Sequence, residues 1–263
     1  LKESPGGRAL LADIALQQGR YDEARTRLEA AVHEQPGWET LARLAYYRSM
    51  TGDPVEADRL YARAQDLLTA KEMRHYAWLE LQRGIIDLNG DRHEAALAHY
   101  RHAGRAYSGY WLIEEHSAEV LALLGRSRES EDIYAGVAKS TNKPELLVAY
   151  AGVVARRDSE RAVELTRIAH ATFERQMAQY PQAAVGHYLG SLIDAEADTH
   201  RLIDLARMNA AARPNADSKL LLARVYIKAG RVEEARSLVA EVEGSPWRPR
   251  ELAEMKSTLK VES

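Results

Sequence analysis

His99 and His102 stand three residues apart, and Glu114, Glu115 and His116 follow a short way along the chain. On neighbouring helices, His99, His102 and His116 would offer the donor types of a His/carboxylate zinc site. No HExxH occurs, nor an ExxH with matching partners, so the same residues also read as side chains flanking a core face at Tyr100 and Ala103. Covalent chemistry finds less support. There is no cysteine and no GxSxG elbow, and Ser49, Ser127 and Ser159 fall in expected turns. Gly6-Gly7 lacks the spacing, and the lysine and hydroxyl residue after it, that a phosphate loop needs. The carboxylates are spread over helix surfaces. No catalytic residue and no cofactor are expected.

Composition narrows the partners. The 263 residues carry 36 Lys+Arg against 39 Asp+Glu, a net charge of −3. Neither that balance nor any Lys/Arg run supplies a basic groove, so nucleic acid is not expected. The longest apolar stretch, Leu146 to Ala155, covers ten residues, whereas a membrane span needs roughly 20. It reads as a buried helix, with no membrane insertion. Without cysteine there is no disulfide framework, and cytoplasm and periplasm are equally open. The row begins at Leu1 with no methionine, so a targeting segment or further domains could precede it.

Any site must be positioned by the recurring unit that dominates the chain. Glycine, three variable residues, glutamate, then alanine or serine appears at Gly19–Ala24, Gly52–Ala57, Gly90–Ala95, Gly125–Ser130 and Gly230–Ala235. The glycine intervals are 33, 38 and 35, then a gap of 105, which degenerate copies at Arg157–Ala162 and Ala197–Leu202 fill. Each glycine follows a helix-favouring run and supplies a left-handed residue that ends a helix cheaply. Asp22, Asp53 and Asp91 suit the start of the next helix. The small residue lets two helices approach, and Leu28, Tyr61, Tyr134 and Val239 lie one turn later on the same face. Pro36, Pro214 and Pro246 close the second helix. In the third copy, Ala96, Tyr100 and Ala103 phase as well as Ala95 does. No segment alternates as a strand would, so the chain reads as all-α with two helices per unit.

This unit resembles the tetratricopeptide repeat, a helix–turn–helix of about 34 residues. The last copy carries the resemblance best, through Leu222-Ala223, Tyr226, Gly230, Ala235, Val239 and Pro246. The first follows with Leu11-Ala12, Gly19, Ala24, Leu28, Ala31 and Pro36. The sixth keeps Leu189-Gly190 and Pro214 but has Leu202 at the small position. The resemblance implies a right-handed α-solenoid of about seven units, with units near 5–37, 38–74, 75–110, 111–142, 143–182, 183–215 and 216–247. Residues 248–263 would form a capping helix, with Leu252, Met255 and Leu259 on its apolar face. Units in such an array touch mainly their neighbours. Lys2 to Gly7 offers no matching cap, so a longer chain or another molecule would have to cover that end.

The resemblance also implies a non-enzymatic interaction scaffold that binds a peptide or protein segment on its first helices, with self-association possible. A metal- or small-ligand carrier built on His99, His102 and His116 is the alternative. The family's inner face maps onto Asp13, Tyr46 (with Glu39 and Ala42), Arg83, Glu115, Glu119, Leu147, Ala151, Val154, His187 (with Ser191) and Arg224. The chaperone-type carboxylate clamp would need Lys and Asn where Ala9 and Asp13 stand, so it is not expected. Pro144 to Arg156 is apolar on nearly every side. Either the long helix expected over Ile168–Tyr180 covers Leu147, Ala151 and Val154, or these residues form an apolar anchor for a partner.

Overall fold

The computed structural model describes residues 4–193, 195 and 198–261. The copy expected from Ala197, and the stretch from Lys2, therefore begin outside the described residues. Among those described, fifteen α-helices occur and no strand. They run α1 Pro5–Gln17, α2 Tyr21–Glu34, α3 Trp38–Met50, α4 Pro54–Asp66, α5 Met73–Asn89, α6 His93–Ala106, α7 Trp111–Leu123 and α8 Ser127–Thr141. The rest are α9 Pro144–Val154, α10 Ser159–Gln179, α11 Pro181–Leu192, α12 Thr199–Ala212, α13 Ala216–Lys228, α14 Val232–Glu243 and α15 Glu251–Val261.

The turns explain the repeat. At Gly19 (φ 68°) the amide of Arg20 donates to the Ala15 carbonyl at 2.8 Å, and the amide of Gly19 donates to Leu16 at 3.0 Å. This crossed pair satisfies two carbonyls at the helix end. It returns at Gly125 and Gly230. Arg20, Arg126 and Arg231 then open the next helix, each paired with the glutamate three residues on, Glu23, Glu129 and Glu234.

The third copy is shifted by one residue from the expected register. Gly90 has φ −93°, and Asp91 takes the left-handed position at φ 56°. The Arg92 amide donates to the Asp87 carbonyl and the Asp91 amide to that of Leu88. Five residues beyond Asp91 comes Ala96, fully buried, whereas Ala95 is exposed. Asp91 thus ends a helix and does not cap the next one. Asp53 does cap, accepting from the Glu56 amide at 3.1 Å.

The chain divides into two compact units. One comprises residues 58–178. In it, α5 to α7 share a core of Leu81, Leu97, Tyr100, Ile113 and Val120, and α7 to α10 share another of Ala118, Tyr134, Leu146, Leu165 and Ala169. The other comprises residues 1–57 and 179–263. There α1, α2 and α3 pack together, as do α11 to α15 in sequence, with α15 on both α13 and α14.

In this second unit the helices touch mainly their neighbours, and a few further contacts reach across the sequence. The Tyr21 hydroxyl accepts from the Ala216 amide at 2.7 Å, and the Arg248 amide donates to the Met50 carbonyl at 2.7 Å. Gly19 lies so close to Pro214 that a Cβ there would stand 2.7 Å from its carbonyl oxygen. The first helices are therefore partly covered by the chain's own last ones. The outer face of α1, with Leu10, Leu11 and Ile14, remains exposed.

Candidate functional site

The α13–α15 cavity is built by two short helices with opposite jobs on each face. Asn215 starts α13 by accepting from the Ser218 amide at 2.9 Å, and the Gly230 turn ends it. Leu222, Ala223, Val225 and Tyr226 bury one side of α13. On α15, Leu252, Met255 and Leu259 are buried at the expected three- and four-residue spacing. Between the helices lies an opening of about 690 Å³. Ile193, Leu220, Leu221, Ile227 and Met255 give it apolar walls, and Asp217, Arg224, Lys228, Glu251, Glu254 and Thr258 give it polar ones.

Its charges are separated along α13. Asp217 and Lys228 lie eleven residues apart, roughly 16 Å at helical rise. Asp217 is exposed as a residue, yet burial pushes its carboxyl up from the usual value, and the Glu251 charge adds to that. The Trp247 indole works the other way on the same carboxyl. At the far end Lys228 Nζ donates to the Ile193 carbonyl.

Trp247 joins this site to the first helices. Its ring stacks on Tyr21 at 4.8 Å and 11°, meets Tyr46 edge-on at 5.8 Å and lies tilted against Tyr47 at 6.2 Å. Trp247 is 3% exposed. Tyr46 keeps 41% of its surface open. Its phenol is nonetheless crowded enough that burial pushes it up to about 12, with the Asp217 and Tyr21 charges adding to the shift.

The expected inner-face residues thus separate. In the unit holding both chain ends, Arg224 lines the cavity, and Tyr46 sits against Trp247 and within the field of Asp217. His187 is exposed on α11. Asp13 accepts from Arg43 Nε at 2.9 Å, an ion pair between α1 and α3.

In residues 58–178 the picture differs. Arg83 holds Asp58 through two hydrogen bonds of 2.7 and 3.3 Å and also reaches Gln65 and Glu80. Glu119 accepts from His116 at 3.2 Å in one tautomer, and burial followed by the Glu119 and Glu145 charges raises the Glu115 carboxyl, against the pull of His116. Leu147, Ala151 and Val154 are 8%, 5% and 1% exposed and belong to the core with Tyr134, Ala162 and Leu165. The apolar anchor expected on this face is therefore withdrawn. The α9 surplus of apolar residues is used by α8 and α10, the latter a helix of 21 residues.

The histidines do not converge. His99 binds Glu80 at 2.7 Å, His116 leans on Tyr100 at 5.7 Å between ring centroids, and His102 is exposed. Among the described residues no group of three or more His, Asp or Glu side chains is placed to hold a metal ion.

Sequence reasoning missed Asp217, Leu221, Glu251 and Trp247. Trp247 had a visible signal, since a tryptophan between Pro246 and Pro249 breaks the repeat. Asp217 had none, because its position on α13 acquires meaning only once α15 packs beside it.

A model of the tetratricopeptide repeat matches residues 5–30 and 216–241. Comparison with curated protein sequences gave no match. Among solved structures, yeast Tom70 is similar at 14% identity and TM-score 0.58, over 98% of this chain and 55% of that one. The chain therefore spans about half of that protein's length. Pseudomonas aeruginosa pilF is similar at 17% identity and TM-score 0.50, over 99% and 98% of the two chains. TTC0263, a thermophilic TPR protein of Thermus thermophilus, is similar at 21% identity and TM-score 0.50, over 72% and 100%. At these identities the likeness concerns the fold. The repeat model marks tetratricopeptide repeats at residues 5–30 and 216–241, and along the rest the chain shares the fold of tetratricopeptide-repeat proteins.

Proposed function

We propose that this protein is a non-enzymatic scaffold that binds a peptide or protein segment on the inner face of its first helices. The observation that carries this reading is the α13–α15 cavity, open to solvent, apolar in its walls and charged at its rim. Small concave sites with a few convergent polar groups are where short segments gain affinity. Arg224 lies in its wall, at a place the family points inward. The faces of α7 and α9 offer less, because their side chains are spent on the protein's own core and ion pairs. Among the described residues no helix is long and apolar enough to cross a membrane.

The test is selection of random displayed peptides on the purified protein, followed by mapping of a bound peptide through amide chemical shifts. The expected outcome is perturbation around Leu221, Arg224 and Met255. Arg224→Glu should then weaken or redirect selection while leaving the melting temperature within about 2 °C, as expected of a surface substitution. Perturbation confined to exposed second-helix positions such as Val55, Glu160 and Glu233 would overturn the reading.

A further inference from the structure

Between α14 and α15 the chain leaves the helical path over residues 244–250. Pro246 and Pro249 each fix a backbone angle there and bias Ser245 and Arg248 toward extended conformations. The stretch is thus a stiff segment of the kind that aromatic-lined sites take with little loss of entropy. It lies in such a site. Trp247 stacks on Tyr21 at 4.8 Å and is set against Tyr46 and Tyr47, and the Arg248 amide donates to the Met50 carbonyl at 2.7 Å. An indole and a backbone amide are therefore what the pocket reads. The Arg248 guanidinium donates instead to the Ser245 and Trp247 carbonyls of its own segment.

Two features make this segment separable from the rest of the fold. The Tyr21 hydroxyl on the Ala216 amide and the close approach of Gly19 to Pro214 join the start of the chain to the start of α13 without it. Tyr46, whose ring meets that of Trp247, keeps 41% of its surface open, so one wall of the pocket is reachable from solvent.

We infer that the pocket of Tyr21, Tyr46 and Tyr47 is a recognition site for a tryptophan on an extended, proline-flanked segment, filled here by the chain's own residues 246–249 and open to a partner's segment of the same chemistry. The chain's own segment names the ligand class, because it shows which side chain fits among the tyrosines and which backbone group Met50 accepts. Being tethered, it also competes at a high local concentration, so a partner must displace it. The inference goes beyond the α13–α15 cavity, whose own test stands or falls separately.

A capped peptide of residues 245–250 tests it, alongside the same peptide with leucine in place of tryptophan. Binding to the whole protein is followed by calorimetry, with amide shifts at Tyr46 and Tyr47 locating the peptide. Trp247→Ala removes the pocket's own occupant and should bind the tryptophan peptide about tenfold more tightly, or better, than the unaltered protein does. The leucine peptide should bind about tenfold more weakly than the tryptophan one, as expected of a central aromatic anchor. Arg248→Pro is the second variant. It deletes the amide that Met50 accepts, leaves the three tyrosines and Trp247 in place, and should also tighten binding; should Trp247→Ala fail to fold, it carries the same comparison. Absence of binding to both variants overturns the inference. So does equal affinity for the variants and the unaltered protein, or for the two peptides. A dimer of the unaltered protein that the peptide dissociates would assign the pocket to residues 246–249 of a second copy and likewise overturn it.

Discussion

Glu80 is 3% exposed, and its carboxylate accepts from Gln65 and His99 at 2.7 Å each and from Arg83 at 3.3 Å. Burial alone would raise its carboxyl, but the His99 and Gln65 hydrogen bonds, with the His99 and Arg83 charges, hold it below the ordinary glutamate value of 4.5. A depressed carboxyl contributes stability that is present above its unfolded value and is lost as pH falls through the folded one. Glu80→Gln should cost about 2–3 kcal/mol at neutral pH, because it sets His99 beside a neutral amide in a buried place and takes from Arg83 one of its two carboxylates. The acid limb of the stability curve, below about pH 4.5, should flatten in the same variant. Urea titrations from pH 3 to 8 check both outcomes. Leu147→Asp makes the second residue-scale prediction. Read as an exposed anchor, Leu147 would tolerate the change. At 8% exposure among Leu146, Tyr134 and Leu165, it should lose about 3 kcal/mol or more, since a carboxylate would be buried without a partner.

Helices and turns were the most legible part of the chain, and the third turn shows where legibility stops. Glycine spacing located four left-handed turn residues, Gly19, Gly52, Gly125 and Gly230. At Gly90 the same rule misplaced the turn by one residue, since Asp is among the few side chains that tolerate the left-handed region. The phase of Ala96, Tyr100 and Ala103 held the correct answer, because burial on α6 outvotes a glycine at the helix end. Legibility was also lost at α9. Its apolar excess was plain in the sequence, but whether α8 and α10 would use it depended on packing that periodicity does not encode. The shifted turn is testable. Asp91→Gly should stabilise the protein by up to about 1 kcal/mol, by relieving a strained backbone position. Gly90→Ala should be near neutral, because the atoms a Cβ would meet belong to the flexible end of Arg92. Gly125→Ala, at φ 76°, should cost about 1 kcal/mol. Thermal melts of the three single variants decide it, and equal losses at Gly90 and Gly125 would contradict the shifted register.

Seen across the whole molecule, the consequence of Trp247 is that the last helices help to hold the first. In a linear repeat array, stability is close to a sum of intrinsic terms and nearest-neighbour terms, so removing one end loosens only the repeat beside it. Here the segment after α14 stacks Trp247 on Tyr21, sets it against Tyr46 and Tyr47, and bonds Arg248 to Met50. Stacked and edge-on aromatic pairs contribute about 0.5–1.5 kcal/mol each beyond the area they bury. Loss of a buried tryptophan commonly costs about 3–5 kcal/mol. Trp247→Ala should therefore reduce amide protection far away in sequence, in α2 around Ala24 and Leu28 and in α3 around Leu44 and Tyr47. Residues of α6 to α8, which lie in the other compact unit, serve as the internal reference for any global change. Native-state hydrogen exchange reads the two regions in one experiment. A selective loss in α2 and α3 would establish that the two ends of the chain are energetically coupled. Loss confined to α14 and α15 would mean that the array behaves linearly and that the Trp247 contacts are geometrically close but thermodynamically idle.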